Sequence, residues 1–341
     1  MEFWIADVPI PGRTAVAAER AELAGWDGLV LPDTQCVAGD PFVELALAAR
    51  QTTRLHLATC VTNPITRHPS VAASTAATVQ LESGGRMHLG MGRGDSSLAH
   101  IGVPAASVTA LGAYVDTVRT YLAGDEVAVA GAPASKIRWL PRPGMPTVPV
   151  EIAATGPRVI QMAATAADGV WFAAGADPGR LAGLVELVQR TREAAGRTRT
   201  PFAIAATVAV ACLPDPSAAR DLIRGTTASF ARFSAMHGEV TADAPTEHRE
   251  ALATLGRDYD MNQHGWTAAP HTTALSDQFI DRFSVAGSTT TVIARLADIL
   301  ATGIQRLIVL PRSLDSDSDL AERSVAALSA EVLPALRELA L

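Results

Sequence analysis

Ala24-Gly25-Trp26-Asp27-Gly28-Leu29-Val30-Leu31 is the stretch that decides the fold. A helix-like segment ends near Gly25, and a short apolar run begins within a few residues. Glycine just past a helix end takes the left-handed conformation that closes the helix at little cost. The unbroken apolar run after it reads as a strand buried on both faces, as in a parallel sheet. The same junction returns at Gly84-Gly85-Arg86 before Met87-His88-Leu89, at Asp168-Gly169 before Val170-Trp171-Phe172, and at Gly303 before Leu307-Ile308-Val309-Leu310.

Extending the pattern outward predicts eight strands, over 3–5, 28–31, 55–60, 87–91, 150–153, 169–173, 202–212 and 306–310. The segments between them carry helical spacing. Leu111, Val115, Val118 and Leu122 share a face, as do Leu181, Leu184, Val185 and Val188, and again Val292, Leu296, Ile299 and Leu300. Asp40 before Pro41, His68 before Pro69 and Gly156 before Pro157 put proline at the first helical position. Eight alternating β/α units with short connections predict a (β/α)8 TIM barrel of α/β class, with a doubly wound sheet as the alternative. Residues 124–149 read as an irregular or hairpin excursion. Residues 214–282 are too long for a connection and read as an insertion after strand seven. It carries helical pieces over 217–236 and 246–255, and serves either as a lid or substrate wall or as packed helix alone.

The 341 residues are 48% hydrophobic and 18% charged, which excludes a disordered chain and suits one domain spanning 1–341. Cys36, Cys60 and Cys212 are far apart, so neither a disulfide framework nor a zinc knuckle is indicated. Net charge is −7, and the basic residues are dispersed, so no nucleic-acid stripe is present. No apolar run is long enough to span a membrane and no signal peptide is apparent, so a cytoplasmic protein is expected. The absence of HExxH, paired cysteines and GxSxG disfavours metal-dependent and serine hydrolases.

A barrel of this kind keeps its chemistry where strands end and lead into helices. Those ends read Pro32-Asp33-Thr34-Gln35, Cys60-Val61-Thr62-Asn63-Pro64-Ile65-Thr66-Arg67-His68-Pro69, Gly92-Arg93-Gly94-Asp95-Ser96-Ser97 and Ala154-Thr155-Gly156-Pro157-Arg158. Asp33 and Asp95 are the candidate acids, since a carboxylate in a barrel mouth is poised for a raised pKa; a hydrogen-bonded structural role is the other reading. Asp40 reads as a cap, and His68 as a cap or an orienting group. Gly156-Pro157-Arg158 opens a helix and is either an anion site or a plain helix start. The glycines at 90, 92 and 94 do not complete a dinucleotide fingerprint and read as room for a flat ligand. His264, in the insert, is a candidate substrate contact.

These stretches, with Ala167-Asp168-Gly169-Val170, Tyr259-Asp260 and His264-Gly265, resemble the luciferase-like superfamily of flavin- and F420-dependent oxidoreductases over nearly the whole chain. The likeness is to the F420-dependent, methylenetetrahydromethanopterin reductase-like branch. It implies a deazaflavin or flavin across the strand ends and a non-proline cis peptide after strand three, here Cys60–Val61. It implies contacts from Asp33, Thr62, Asn63, Gly94 and Ser96, and a phosphate held by Thr155, Gly156, Pro157, Arg158 and Val159. Asp95 matches the acidic position that serves as proton donor or hydrogen-bond partner in related F420 enzymes. Thr34 stands where related alcohol and sugar phosphate dehydrogenases have a histidine base. The implied reaction is therefore hydride transfer from deazaflavin C5 to a C=C or C=N bond of a small molecule, rather than alcohol oxidation. A reduced-FMN-dependent monooxygenase and a non-catalytic flavin-binding relative are the alternatives. The branch also implies a homodimer.

Overall fold

The computed structural model describes residues 1–140, 146–235 and 246–339. Eight parallel strands close into a barrel: β1 (Glu2–Ala6), β2 (Gly28–Leu31), β3 (His56–Thr59), β4 (Met87–Met91), β5 (Val150–Ala154), β6 (Gly169–Phe172), β7 (Ala203–Cys212) and β9 (Arg306–Leu310). Each pairs with the next, β7 and β9 pair directly, and β9 returns to β1. The β6–β7 pairing closes the ring and excludes the doubly wound alternative. All eight expected strands are present within a residue or two. A ninth, β8 (Val285–Gly287), was not expected and pairs only with the far end of β7.

Alternation along each strand sorts its side chains between two layers. On β1, Phe3 and Ile5 face the helices and join the large outer core with Leu29, Leu31, Leu57 and Leu89. Trp4 faces inward and meets Val30, Ala58, Trp171, Ala205 and Ile308. Two indoles need room that neighbouring strands must give up. A Cβ on Gly28 would lie 2.4 Å from the Trp4 ring, and one on Gly90 would lie 2.6 Å from Trp171 and 2.1 Å from the Thr59 carbonyl oxygen. Those glycines are therefore packing residues.

The inner N-terminal end of the barrel is plugged by polar groups that satisfy one another. Buried Glu151 accepts from Arg306 at 2.6 Å, pairs with His88 at 2.8 Å and accepts from the Trp171 indole N–H. Burial works against the Glu151 charge. The His88 hydrogen bond and the Arg306 charge outweigh it and hold the carboxyl below its usual range. His88 thus has a structural duty.

The outer helices are α1 (Thr14–Leu23), α2 (Pro41–Gln51), α3 (Pro69–Glu82), α4 (Ser96–Ala99), α5 (Val108–Leu122), α6 (Pro157–Ala166) and α7 (Pro178–Ala194). Asp40 caps α2 through the N–H groups of Phe42 and Val43, and His68 caps α3 through that of Ser70, both as expected. The excursion after α5 contains an antiparallel bridge between Val127 and Ser135, and its residues 141–145 lie outside the described residues. After β7 come α8 (Pro216–Phe233), α9 (Thr246–Asp258), α10 (Asp277–Phe283), β8 and α11 (Thr289–Leu300). Residues 236–245, on which the end of the first expected helical piece falls, lie outside the described residues. Helices α12 (Ser318–Ala327) and α13 (Leu333–Leu339) end the described chain. No described helix is long and apolar enough to cross a membrane.

Candidate active site

The ends of β2, β3 and β4 bring one group of expected residues together. Asp33, 3% exposed, accepts from the Thr62 hydroxyl at 2.7 Å. Thr62 donates its N–H to Gly90, and its carbonyl accepts from Gly92, which stitches the two strand ends together. Buried Asn63 donates to Thr66 at 3.1 Å and to the Ser97 hydroxyl at 3.3 Å, while its carbonyl accepts from Ile65 and Thr66. The Cys60–Val61 peptide bond is cis, as the resemblance implied. Burial pushes the Cys60 thiol up to about 12, so it is neutral and inert as a nucleophile.

Asp33 and Asp95 are each paired with an arginine. Arg67 donates to both Asp33 oxygens from Nε at 3.2 Å and Nη2 at 3.3 Å, and its Nη2 also reaches Asp40 at 2.8 Å. Arg232, on α8, donates from Nη1 to both oxygens of Asp95 at 2.7 Å. The glycines of strand four differ from expectation. The space beside Gly90 is taken by Trp171 and that beside Gly92 by the Val61 side chain at 2.8 Å. Gly94 has φ +87°, and a Cβ there would meet Leu98 at 2.4 Å. Protein atoms, not a ligand, occupy that room. Ser96 opens α4 and is partly buried.

Strand register puts the second group at the same end of the barrel, since Met91 is level with Ile152. Gly156 caps α6 without a side-chain bond, Pro157 follows it, and open space lies where a Gly156 Cβ would be. Arg158 is exposed and pairs with no carboxylate among the described residues, while Val159 is buried. The Thr155 hydroxyl donates to the Ala173 carbonyl at 3.1 Å, so its proton is already committed. The free N–H groups of this helix start, its dipole and the Arg158 charge fit a phosphate, which F420 and FMN both carry.

The insert supplies the wall facing Asp95. Arg232 lies over the Tyr259 ring, 4.8 Å from its centroid. The Tyr259 hydroxyl is 2.8 Å from both the Ser229 hydroxyl and His264 Nδ1. Ser229 spends its proton on the Gly225 carbonyl, so Tyr259 must donate to Ser229 and accept from His264. His264 therefore carries its proton on Nδ1 and leaves Nε2 as an acceptor. Burial lowers its pKa to about 4, so it is neutral near pH 7. Burial raises the Tyr259 phenol to about 12.

Arg232, Ser229 and Asp7 carry no signal that sequence reading detected. Asp7 follows β1, accepts from the Val8 N–H at 2.8 Å, and is shifted upward by burial. A cavity of about 370 Å³ opens at this mouth, lined by Asp33, Gln35, Thr66, Arg67 and Ile101. A larger depression of about 510 Å³, lined by Ser70, Ser74, Lys136 and Trp139, flanks α3 and holds none of these groups. Among the described residues no His, Cys, Asp and Glu cluster could hold a metal ion.

A closed parallel barrel with a buried Asp–Thr pair, an open helix start and a polar insert wall at one mouth has the architecture of a barrel enzyme. The profile of the luciferase-like monooxygenase family matches residues 9–306, and the chain belongs to that family. It is 27% identical over 304 residues to a 5,10-methylenetetrahydromethanopterin reductase of Archaeoglobus fulgidus, covering 86% of each chain. The structure of an F420-dependent tetrahydromethanopterin reductase from Methanopyrus kandleri superposes with a TM-score of 0.72 at 23% identity, over 98% of both chains. An F420-dependent secondary alcohol dehydrogenase superposes with a TM-score of 0.72 at 18% identity, over 99% of this chain and 100% of that one. With these relatives the chain is an oxidoreductase.

Proposed function

We propose that the protein is an F420-dependent oxidoreductase that moves a hydride between the deazaflavin and a small organic substrate, reducing a C=C or C=N bond. The observation that carries this reading is the likeness to methylenetetrahydromethanopterin reductase across 86% of both chains. When bound, the cofactor supplies a two-electron hydride carrier.

The residues present fit that group. Gly156, Arg158 and Val159 at the start of α6 would hold its phosphate, with Thr155 and Pro157 shaping the turn. Cys60 and Val61 would line the ring, backed by buried Thr62 and Asn63, and Asp33 holds the Thr62 hydroxyl in place. Asp95 would pass a proton to the substrate atom away from the hydride. His264 Nε2 would accept a hydrogen bond from the substrate. Thr34, carrying no basic nitrogen, leaves alcohol oxidation without its base.

Fluorescence titration of the purified chain with F420 and, separately, with FMN tests the reading. Micromolar or tighter F420 binding with weak FMN binding is expected. The reverse would favour a reduced-FMN-dependent monooxygenase, the reading that the luciferase-like monooxygenase profile itself supports. Binding of neither would sink both.

A further inference from the structure

Arg232 reaches the loop after β4 with three of its five N–H donors unspent on the described residues. Nη1 serves both oxygens of Asp95, while Nε and Nη2 have no partner among the described residues. The side chain is 17% exposed, and neither nitrogen is among the fully buried unpaired atoms, so this edge keeps contact with solvent and is open to a ligand. A ligand anion that pairs it gains charge-assisted hydrogen bonds. The planar Nε–Nη2 edge matches the two oxygens of a carboxylate. Tyr259 beneath the guanidinium keeps that plane fixed.

We propose that Arg232 is the substrate anchor and that the substrate carries a carboxylate, held on the Nε–Nη2 edge beside Asp95. This deepens the oxidoreductase reading and rests on it for the word substrate, although the anion would bind without any cofactor. Charge favours a carboxylate over a phosphate. Among the described residues the one negative group beside Arg232 is Asp95, already matched by Nη1, and a second single charge is easier to accommodate there than a double one. His264, neutral and presenting Nε2, adds no competing charge.

The test uses the full chain without cofactor, titrated with crotonate, methyl crotonate and inorganic phosphate, and read by ligand NMR. Crotonate should bind at least about tenfold more tightly than the ester or phosphate, the worth of a hydrogen-bonded charge. Arg232→Gln should weaken crotonate about 10–100-fold and erase the acid–ester difference. Arg232→Lys should restore only part, because an ammonium keeps the charge without the fork. Equal binding of acid and ester, phosphate binding as well as crotonate, or an unchanged Arg232→Gln variant would each overturn the anchor. The acid–ester comparison on the unaltered chain stands even where a variant folds poorly. Crotonate binding through Arg232 without any F420 binding would keep the anchor and remove the F420 reading. F420 binding without crotonate binding would do the reverse.

Discussion

Arg67 and Asp33 form the most deeply buried ion pair of the barrel mouth. The guanidinium meets both oxygens of a carboxyl that is 3% exposed, and the same Nη2 continues to Asp40 at the cap of α2. One side chain thereby ties the end of β2, the loop after β3 and a helix start. Removing one partner of a buried pair strands the other charge. Arg67→Ala should therefore destabilise the fold by about 3 kcal/mol. Adding Asp33→Asn to that variant should recover part of the loss, because no buried charge then remains. Urea denaturation of the single and double variants checks this, and a double variant no better than the single would place the cost in lost packing against Phe42.

Asp95→Asn should leave F420 affinity within a few fold and lower turnover by roughly 10²–10⁴, the usual worth of a general acid. Steady-state kinetics beside a binding titration decide it. Turnover that does not move would remove Asp95 from proton transfer and leave it as the partner of Arg232.

Arg158→Ala should weaken cofactor binding by about 1.5–3 kcal/mol, the contribution of a hydrogen bond to a charged group. Stability should not change, because the side chain is exposed and makes no ion pair among the described residues. A dissociation constant equal to that of the unaltered chain would show that the phosphate lies elsewhere.

Glycines at this mouth should separate sharply under a single methyl. Gly90→Ala puts a carbon 2.1 Å from a backbone oxygen and 2.6 Å from Trp171, deep in the barrel, and should cost at least about 1–3 kcal/mol. Gly156→Ala meets nothing within 4 Å at an ordinary backbone angle and should stay within about 0.5 kcal/mol in stability. Thermal melts of the two variants test the contrast.

That contrast also shows what is legible in a sequence. The eight barrel strands were readable as apolar runs between helical segments, four of them beside a glycine junction, and Gly25 and Gly303 do have positive φ. Strand β8 is three residues, Val-Ala-Gly, too short to make a run. Asp33 stands out as a carboxylate at a strand end, whereas Thr62 and Asn63 were marked only by the family resemblance. What fills the missing side chain of Gly90 comes from strands three and six, and no local pattern announces it. Arg232 lies 137 residues from Asp95, on a helix where an arginine looks like any solvated charge. Partners at that separation are set by closure of the barrel and the path of the insert, which periodicity does not encode.

Acid should loosen the insert through His264. Its ring gives its Nδ1 proton to Tyr259, and burial lowers its pKa to about 4 against about 6.5 for an unfolded histidine. Between those values the unfolded chain binds a proton that the folded chain refuses, so stability falls as pH drops from about 6.5 to about 4 and is flat in this group below that. Neighbouring His271 is shifted the same way by burial, and both rings pack on Tyr259. Melting temperatures of the unaltered chain and of His264→Gln, taken across pH 4 to 7, should converge toward the acid end. Two curves that stay parallel throughout would mean that His264 accepts its proton in the folded state, and the neutral, Nε2-accepting imidazole assigned to the substrate wall would have to be given up.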